Sequence, residues 1–466
     1  MAFVNFYLSP SATGANNLNS GSTLAAPTHT YGGGTFVRAT NTFTVASGNP
    51  STDGFVSAGD YVSVYTTSGR TVATFVMKVD STTSTTIVGS ASGIVYGVNT
   101  TVSETANASS LTIGGAWVSE LPLAATTTAG GLGTFTVPQS TKFNITGNLT
   151  IVASRTIAMA GATTTPLWFS GYNTNPGDLD NNTTDSLSPP VWTLNSTFTL
   201  TWSGVFQTWS SLSVSGSRTG TVLTVSASPF EAVRCRSENT SSDVAAVALT
   251  VSTQRARFGY CYFKVPTTAT TTGVVSGSTR NIFRGCVFDS GGVAGLNYAA
   301  TTDSITSQCV FINCVGSGIL FSTGGGQILN CTFYYGSTDG VKWTGTPSTV
   351  TPSSVIGCLF SGLNGSTAMT NGINASAGVT DDVFRACNDY YNVTNPEVNM
   401  GDSFAFFPQT DSNPVATSGT NMTPVAGSNA RNNGFPGIFE NQTYSSYPAI
   451  GAVTPIGGGY VPQVFE

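Results

Sequence analysis

Cysteine dominates the residues of this sequence that could carry out chemistry. All eight cysteines of the 466-residue chain lie between positions 235 and 387. Most of them precede an aromatic residue at a short, regular distance: Cys261 with Phe263, Cys286 with Phe288, Cys309 with Phe311, Cys331 with Phe333, Cys358 with Phe360, and Cys387 with Tyr390. Such a series could bind metal or form disulfides, so its spacing decides which chemistry is open.

The spacing argues against a metal or redox site. Successive cysteines of the series are 25, 23, 22, 27 and 29 residues apart, without the CxxC pairs that zinc sites use. Cys309 and Cys314 form the only close pair, and neither a histidine nor a second pair accompanies them. We therefore expect buried, reduced thiols that act as small hydrophobic side chains, with no bound metal or cofactor. Reduced cysteines indicate folding in the cytoplasm.

A second mark keeps the same phase as the cysteines. A glycine followed by an aliphatic residue stands nine positions after three of them, at Gly295-Leu296, Gly318-Ile319 and Gly340-Val341. Two phase-locked marks with a period in the low twenties indicate one small unit stacked many times. Residues alternate with period two around Cys331, so each unit should hold two or three short strands joined by Gly and Asn turns. Cysteine should then stack on cysteine and phenylalanine on phenylalanine.

This segment resembles the right-handed parallel β-helix proteins of the pectate-lyase-like superfamily over about residues 135–455. The stretch from Pro166 to Asp180 is similar to early coils of β-helix proteins from bacteria and their phages. Ile450-Gly451-Ala452 is similar to the segment that closes many such solenoids. The resemblance implies an all-β solenoid. It leaves the function open, because this fold serves lyases, hydrolases, phage tailspikes and structural proteins alike.

The coil period also divides the chain. Residues 1–120 lack it and contain alternating strands with a hairpin signal at Ser68-Gly69. We expect a small all-β N-terminal domain there, which caps the solenoid or attaches it to a partner. The parallel β-helix should occupy residues 121–400. Residues 401–466 are rich in loops and proline, and we expect a C-terminal cap and tail.

Composition excludes several classes of function. Only 8% of the residues are charged and the net charge is −6, which makes nucleic-acid binding an unfavourable interpretation. No apolar run approaches 18 residues, so we expect no membrane span. The first seven residues lack a basic region and a sustained apolar run, so we expect no secretory signal.

Acidic residues do not form a matching pair when the units are aligned by their cysteines. The residues three positions after the ladder cysteines are Asp289, Ile312, Tyr334, Ser361 and Tyr390. One acid in that column cannot supply the two or three carboxylates that a glycosidase of this fold requires. His29 is the only histidine and is expected in an exposed loop, so a Ser-His-Asp triad has little support. The sequence therefore predicts no enzymatic activity.

Tryptophans crowd the early coils and are the weak candidates for contact with sugars: Trp168, Trp192, Trp202 and Trp209. Exposed, their rings could stack on the apolar faces of sugars. Buried, they would fill the core or a seam between subunits.

These features favour a non-enzymatic structural protein exposed on a phage virion, as a capsid decoration or a tailspike or fibre. Such a protein folds in the host cytoplasm and acts on the particle surface. We expect a homotrimer that contacts other virion proteins, such as capsid or tail, and binds host surface polysaccharide during attachment. Two alternatives remain: a polysaccharide depolymerase or lyase on the same scaffold, and a bacterial adhesin at the cell surface or outside the cell.

Overall fold

The computed structural model forms two compact units, Met1–Ser213 and Val214–Glu466. It describes residues 4–9, 29–65, 75–97, 105–113, 140–179, 189–195, 197–242, 245–267, 271–299, 301–334, 338–345, 353–362, 368–376, 378, 382–401, 405–406 and 409–410. Apart from a short 3-10 turn at Arg38–Thr40, the regular elements of these residues are β-strands. The predicted fold class, a parallel β-helix with an N-terminal all-β domain, is confirmed.

The first unit contains these strands: β1 (Val4–Leu8), β2 (His29–Val37), β3 (Thr42–Thr44), β4 (Tyr61–Tyr65), β5 (Phe75–Thr82), β6 (Thr86–Gly97), β7 (Thr105–Ile113), β8 (Thr141–Ile145), β9 (Leu149–Ile151), β10 (Arg155–Ile157), β11 (Leu167–Gly171), β12 (Val191–Leu194), β13 (Leu200–Trp202) and β14 (Gln207–Ser210). Strands β2 to β7 close an antiparallel barrel in the order β2-β3-β6-β5-β4-β7. Alternate apolar side chains, such as Phe36, Phe43 and Val62, fill its interior because successive residues of a strand face opposite sides.

The first strand lies in the solenoid and not in the barrel. Strand β1 pairs in parallel with β8, so that Val4 lies beside Thr141 and Phe6 beside Phe143. The barrel therefore lies in sequence between two paired strands of the solenoid. The predicted domain boundary at residue 120 differs from the structure in this respect, because five residues near the start are too few to show a coil period.

The second list of strands begins at the boundary between the units: β15 (Ser213–Gly216), β16 (Thr221–Val225), β17 (Phe230–Val233), β18 (Arg236–Asn239), β19 (Val247–Val251), β20 (Ala256–Gly259), β21 (Tyr262–Lys264), β22 (Thr272–Ser276), β23 (Ile282–Arg284), β24 (Val287–Gly291), β25 (Ala294–Tyr298), β26 (Thr301–Ser307), β27 (Val310–Cys314), β28 (Ser317–Phe321), β29 (Gly324–Leu329), β30 (Thr332–Tyr334), β31 (Asp339–Trp343), β32 (Ser353–Ile356), β33 (Leu359–Ser361), β34 (Met369–Ala375), β35 (Val383–Ala386), β36 (Asp389–Tyr391), β37 (Val393–Val398), β38 (Ala405–Phe406) and β39 (Gln409–Thr410).

In the second unit each coil contributes one strand to each of three parallel sheets, named here in chain order. Sheet 1 runs β16-β19-β22-β25-β28-β31-β34-β37. Sheet 2 runs β17-β20-β23-β26-β29-β32-β35-β38, and sheet 3 runs β18-β21-β24-β27-β30-β33-β36-β39. Among the described residues, the chain passes from sheet 1 to sheet 2 to sheet 3 in every coil, as a parallel solenoid requires.

Aromatic rings stack along the interior of sheet 3. The rings of Phe288 and Phe311 lie 4.6 Å apart and nearly parallel, and Phe311 and Phe333 follow at 4.8 Å. The glycine mark of the sequence belongs to the same stack. A Cβ atom on Gly318 would come within 2.4 Å of the Phe333 ring, and one on Gly340 equally close to the Phe360 ring. The two marks share a phase because each ring lies on the glycine of the preceding coil.

A left-handed residue turns the chain from sheet 2 to sheet 3. Arg234, Tyr260 and Asn330 have φ values between 50° and 54° at this corner, and Gly285 and Gly357 occupy it in other coils. One such residue bends the backbone sharply, and the next residue then points inward. That inward position is where the ladder cysteines lie.

The interior becomes polar near residue 390. Arg385 is almost fully buried, and its Nε donates a hydrogen bond to Glu397 Oε2 over 2.9 Å. The hydroxyl of Tyr390 donates to the other oxygen of Glu397 over 3.0 Å. An ion pair therefore occupies positions that hold apolar side chains in earlier coils, such as Val355 beside Arg385 and Ile373 beside Glu397. The predicted closing segment and tail, residues 411–466, lie outside the described residues.

Candidate functional site

Three charged side chains form one column on the outer surface of sheet 3. The register pairs Glu238 with Lys264, and Lys264 with Asp289. Their neighbours Ser237, Phe263 and Phe288 point inward, so strand alternation directs the charged residues outward. The parallel ladder fixes the spacing of the three positions at about 4.8 Å per coil. In a chain with few charges, a carboxylate, an ammonium group and a second carboxylate are thus held in line on a rigid sheet.

Asp289 is held in place by its neighbours in adjacent coils. The hydroxyl of Tyr262 donates a hydrogen bond to Asp289 Oδ2, and Asn313 Nδ2 donates to Oδ1 over 3.0 Å. Lys264 Nζ lies 3.9 Å from Oδ2. Only 13% of the Asp289 side chain is exposed. These three neighbours fix the orientation of the Asp289 carboxyl group.

Arg236 and Tyr262 connect the carboxylates of Glu238 and Asp289 through a chain of contacts. The Arg236 guanidinium lies 4.6 Å from the centroid of the Tyr262 ring, a cation–π distance. The Nη2 atom of Arg236 also lies 2.8 Å from Glu238 Oε2. Burial raises the pKa of Tyr262, and the hydrogen bond and negative charge of Asp289 raise it further. The phenol therefore stays protonated at neutral pH and acts as a hydrogen-bond donor.

This cluster, Arg236, Glu238, Tyr262, Lys264, Asp289 and Asn313, can perform acid–base chemistry on a polar ligand. Glu238 is the more accessible carboxylate, with 20% of its side chain exposed. Asp289 is oriented by fixed donors, as a catalytic base or nucleophile must be. The Cα atoms of the two residues are about 10 Å apart, two rungs of the ladder. Carboxyl groups about 6.5–9.5 Å apart leave room for a sugar and a water between them.

The sequence count missed this acid pair because it began at Cys286, two cysteines too late. The register pairs Arg236 with Tyr262. Cys235 and Cys261, the residues directly before them, are therefore also in register, so Cys235 belongs to the ladder. Counting three residues from Cys235 and Cys261 reaches Glu238 and Lys264. The signal was thus present in the sequence.

The structure places the ladder residues inside the solenoid, where each stacks on its counterpart in the next coil. Buried members are Cys261, Phe263, Cys286, Phe288, Cys309, Phe311, Cys331, Phe333, Cys358 and Phe360. All eight cysteines are present as thiols. Each ladder thiol lies against a carbonyl oxygen of the preceding coil, for example Cys286 Sγ at 3.4 Å from Phe258 O. These groups are inside the protein and cannot reach a ligand in solution.

Cys387 does not occupy the last position of the ladder. Leu359 pairs with Asp389, so the residue beside Cys358 is Asn388. Asn388 is buried, and its Oδ1 accepts a hydrogen bond from the Cys358 amide over 2.9 Å. Cys387 occupies the left-handed corner instead, with φ of 53°, and is half-buried. The prediction failed by one residue because an asparagine replaces the inward cysteine in this coil.

Three of the four tryptophans are unsuited to glycan contact. Trp192, Trp202 and Trp209 have at most 1% of their surface exposed, and Trp209 stacks on Trp202 at 4.0 Å. Their proposed contact with sugar is therefore corrected: they form the core of the first unit. Trp168 is half-buried, and its ring lies beneath Lys142, whose Nζ is 4.7 Å from the ring centroid.

Two further residues that can ionise, Asp178 and His29, have structural roles. Asp178 accepts hydrogen bonds from the amides of Asn173, Thr174 and Asn175, which is typical of a turn. Burial opposes ionisation of Asp178, but these backbone hydrogen bonds prevail and lower its pKa. Asp180 lies outside the described residues. His29 begins strand β2 and stacks on Phe55, with ring centroids 3.9 Å apart, whereas an exposed loop was expected.

Comparison with known proteins finds solved structures that are distantly similar to this chain. No family model and no curated protein matches the sequence. Among solved structures, pectate lyase Pel9A is 12% identical with a TM-score of 0.45, over 67% of this chain and 88% of that chain. The tailspike protein of Acinetobacter phage vB_ApiP_P1 is 11% identical with a TM-score of 0.38, over 66% and 59%. The PL6 family alginate lyase AlyGC is 12% identical with a TM-score of 0.34, over 62% and 53%.

These TM-scores are below 0.5, and the fold assignment rests on the strand order of the parallel sheets. The chain spans less than two thirds of the tailspike and of the alginate lyase. Within the described residues, no helix has the length and apolar character needed to cross a membrane.

The prediction of a protein without enzymatic activity is wrong. Pectate and alginate lyases are enzymes, and they are among the solved structures that this chain matches. The residue argument behind the prediction also fails. It depended on a lone acid in the column of Asp289, and Glu238 is a second acid in that column.

Proposed function

We propose that this protein binds a polysaccharide along the second unit and cleaves it at the cluster on sheet 3. The observation that carries the proposal is the column Glu238–Lys264–Asp289, which presents two carboxylates around an ammonium group on adjacent rungs of a rigid ladder. Carboxylates, amides and a phenol hydroxyl are the groups that hydrogen-bond sugar hydroxyls. A regular sheet holds such groups more firmly than a loop.

Each residue has a role in this proposal. Glu238, the more exposed acid, protonates the leaving glycosidic oxygen. Asp289, held by Tyr262 and Asn313, acts on the sugar from the other side through a water or directly. Lys264 lies between them and binds the charge that builds up on oxygen atoms during the reaction. Tyr262 orients Asp289 and does not itself ionise.

The test is cleavage of a panel of bacterial capsular and plant polysaccharides by the purified full chain, measured by new reducing ends. Glu238→Gln should lower the rate about 100-fold or more, because the proton donor is lost. Glu231→Gln is the matched control, since Glu231 is an exposed acid on the preceding strand. Equal activity of wild type and Glu238→Gln would overturn the proposal. Unsaturated products, detected by ultraviolet absorption, would overturn the hydrolytic roles in favour of elimination.

The sequence features also bear on where the protein acts. We propose that the protein works on an exterior surface, that of a phage particle, and that it assembles as a trimer. One support is that tailspike proteins occur among the solved structures that the chain matches. The molar mass in solution, by light scattering, tests the trimer, and a monomer at working concentration would contradict it.

A further inference from the structure

Basic residues are concentrated in a short part of the chain around the candidate site. Between positions 218 and 284 lie eight of the sixteen Lys and Arg residues, against three acidic residues. The rest of the chain holds eight basic and nineteen acidic residues. A protein of net charge −6 thus carries one strongly positive segment, and the charge cluster of sheet 3 lies at its edge.

The fold arranges part of this segment as a belt along one coil. In chain order the belt comprises Arg255, Arg257, Tyr260, Tyr262 and Lys264. Arg255 and Arg257 are exposed at the start of sheet 2, Tyr260 forms the corner, and Tyr262 and Lys264 belong to sheet 3. At about 3.3 Å per residue the belt follows about 30 Å of backbone around the solenoid. It ends inside the candidate site.

The next coil widens the belt with two further arginines. Arg280 is exposed and pairs loosely with Asp303, with 3.6 Å between Nε and Oδ2. Arg284 lies beside Gly259 in the register and is half-buried. An exposed ion pair such as Arg280–Asp303 contributes little to stability, so folding does not account for Arg280. Arg284 Nε donates a hydrogen bond to Gln308 Oε1 over 3.2 Å, and Glu231 lies beside Arg257 in the register. Basic residues still outnumber acidic ones in these coils, and such a surface attracts a ligand of opposite charge.

The aromatic rings of the belt are not open platforms. Tyr260 lies against the backbone of the next coil, because a Cβ on Gly285 would come within 2.7 Å of its ring. Arg236 covers one face of the Tyr262 ring. Nucleic-acid bases need open ring faces to stack on, and the carboxylates of Glu238 and Asp289 repel phosphates at close range. A chain of sugars needs no open ring face, and the neutral hydroxyls between its spaced carboxylates can face Glu238 and Asp289.

We infer that the polysaccharide is a polyanion and that it lies along this belt, from the Arg255–Arg257 end into the cluster at Glu238. The inference rests on the proposed function, because the cluster marks the end of the path where the sugar chain reacts. It adds the charge of the substrate and its direction around the coil. Arg255 and Arg257 are binding residues remote from the reacting bond.

The test compares polygalacturonate with its methyl-esterified form, which has the same backbone without the charge. Binding is measured by affinity electrophoresis at several salt concentrations, with the variant Arg255→Asn/Arg257→Gln. Asparagine tolerates the left-handed conformation of residue 255, where φ is 58°. Lys78→Gln/Arg155→Gln is the control, since it removes the same charge from the first unit.

We expect wild type to bind polygalacturonate and not the ester. The belt variant should bind at least tenfold more weakly, with a salt dependence that is less steep by about two counterions. The control should bind like wild type. Equal binding of the ester, an unaffected belt variant or tighter binding of single-stranded DNA would each overturn the inference. Binding through the belt without cleavage would refute the proposed function alone, and cleavage that ignores the belt would refute the inference alone.

Discussion

The early and the late coils that carry the cysteine ladder differ on the outer surface of sheet 3. In the coils of Cys235, Cys261 and Cys286 the outer column of sheet 3 is Glu238, Lys264 and Asp289. In later coils the same column continues as Ile312, Tyr334, Ser361 and Tyr391. The inner column hardly changes, from Phe288 to Phe311, Phe333 and Phe360. Packing therefore restricts the inside of every coil, whereas the outside can carry chemistry in one stretch and none in the next.

The largest expected effect concerns the charged outer column of the early coils. Asp289→Asn should lower the cleavage rate about 100-fold to 10,000-fold, because the amide cannot act as a base or nucleophile. Stability should change little, since the amide oxygen can still accept the hydrogen bond from Asn313 and the amide nitrogen can donate to the hydroxyl of Tyr262, which rotates to accept. Rates and unfolding midpoints of this variant and of Asp303→Asn, an exposed acid outside the column, provide the measurement. A rate within threefold of wild type would remove Asp289 from the mechanism.

The polar interior near residue 390 sharpens the comparison, because there the inward positions of sheets 1 and 2 depart from their apolar pattern. Arg385→Met should destabilise the protein by about 3–5 kcal/mol, since it leaves Glu397 in the interior without its cation. The double variant Arg385→Met/Glu397→Leu should recover most of this loss. Urea unfolding followed by circular dichroism gives both values. A double variant no more stable than the single one would show that the pair does more than neutralise charge.

A third test addresses the shared interior through its glycines. Gly340→Ala should cost about 1–3 kcal/mol, because the new methyl group would meet the Phe360 ring at 2.4 Å. Gly277→Ala is the control, as its nearest atom would be Val251 O at 3.7 Å, an ordinary contact. Thermal unfolding midpoints should separate the two variants. If both behave alike, the glycine mark has a cause other than ring packing.

The smallest effect concerns the thiols. Burial raises the pKa of the Cys309 thiol and also that of Cys261 and Cys358, each two coils away in the ladder, whereas an unfolded cysteine ionises near pH 8.5. The folded chain then holds protons that the unfolded chain releases. The stabilisation is complete below about pH 8.5 and is lost as the pH rises above it.

Each thiol should account for about 1.4 kcal/mol of lost unfolding free energy at one pH unit above 8.5. The check compares urea unfolding of wild type and Cys309→Ala at neutral and alkaline pH. The variant should lose less stability than wild type on going to high pH. Identical losses would mean that the Cys309 thiol ionises inside the fold.

The sequence predicts the interior far better than the surface. Every coil repeats cysteine, phenylalanine and glycine, because a narrow stacked core leaves few side chains that fit. Cys387 shows the limit of such counting: a strand can shift by one residue in a divergent coil, and the inward position passes to Asn388. The tryptophans show another limit. A tryptophan in a strand can face the core or solvent, and the spacing of Trp192 and Trp202 in the sequence does not decide between them.

The sequence by itself determined the solenoid, its inner ladder and its all-β N-terminal domain, because these depend on periodic side chains that must pack on their own repeats. The tertiary structure decided which unrepeated residues meet. Glu238 and Asp289 are far apart in sequence; counting from Cys235 could have predicted their shared column, and the register of three neighbouring strands of sheet 3 establishes it. The arginine belt likewise depends on the tertiary structure. The left-handed residue Tyr260 turns the chain from sheet 2 to sheet 3, and so places the belt residues of both sheets along one coil. The cysteine ladder therefore performs no chemistry itself, but it sets the register in which the neighbouring charged residues come together.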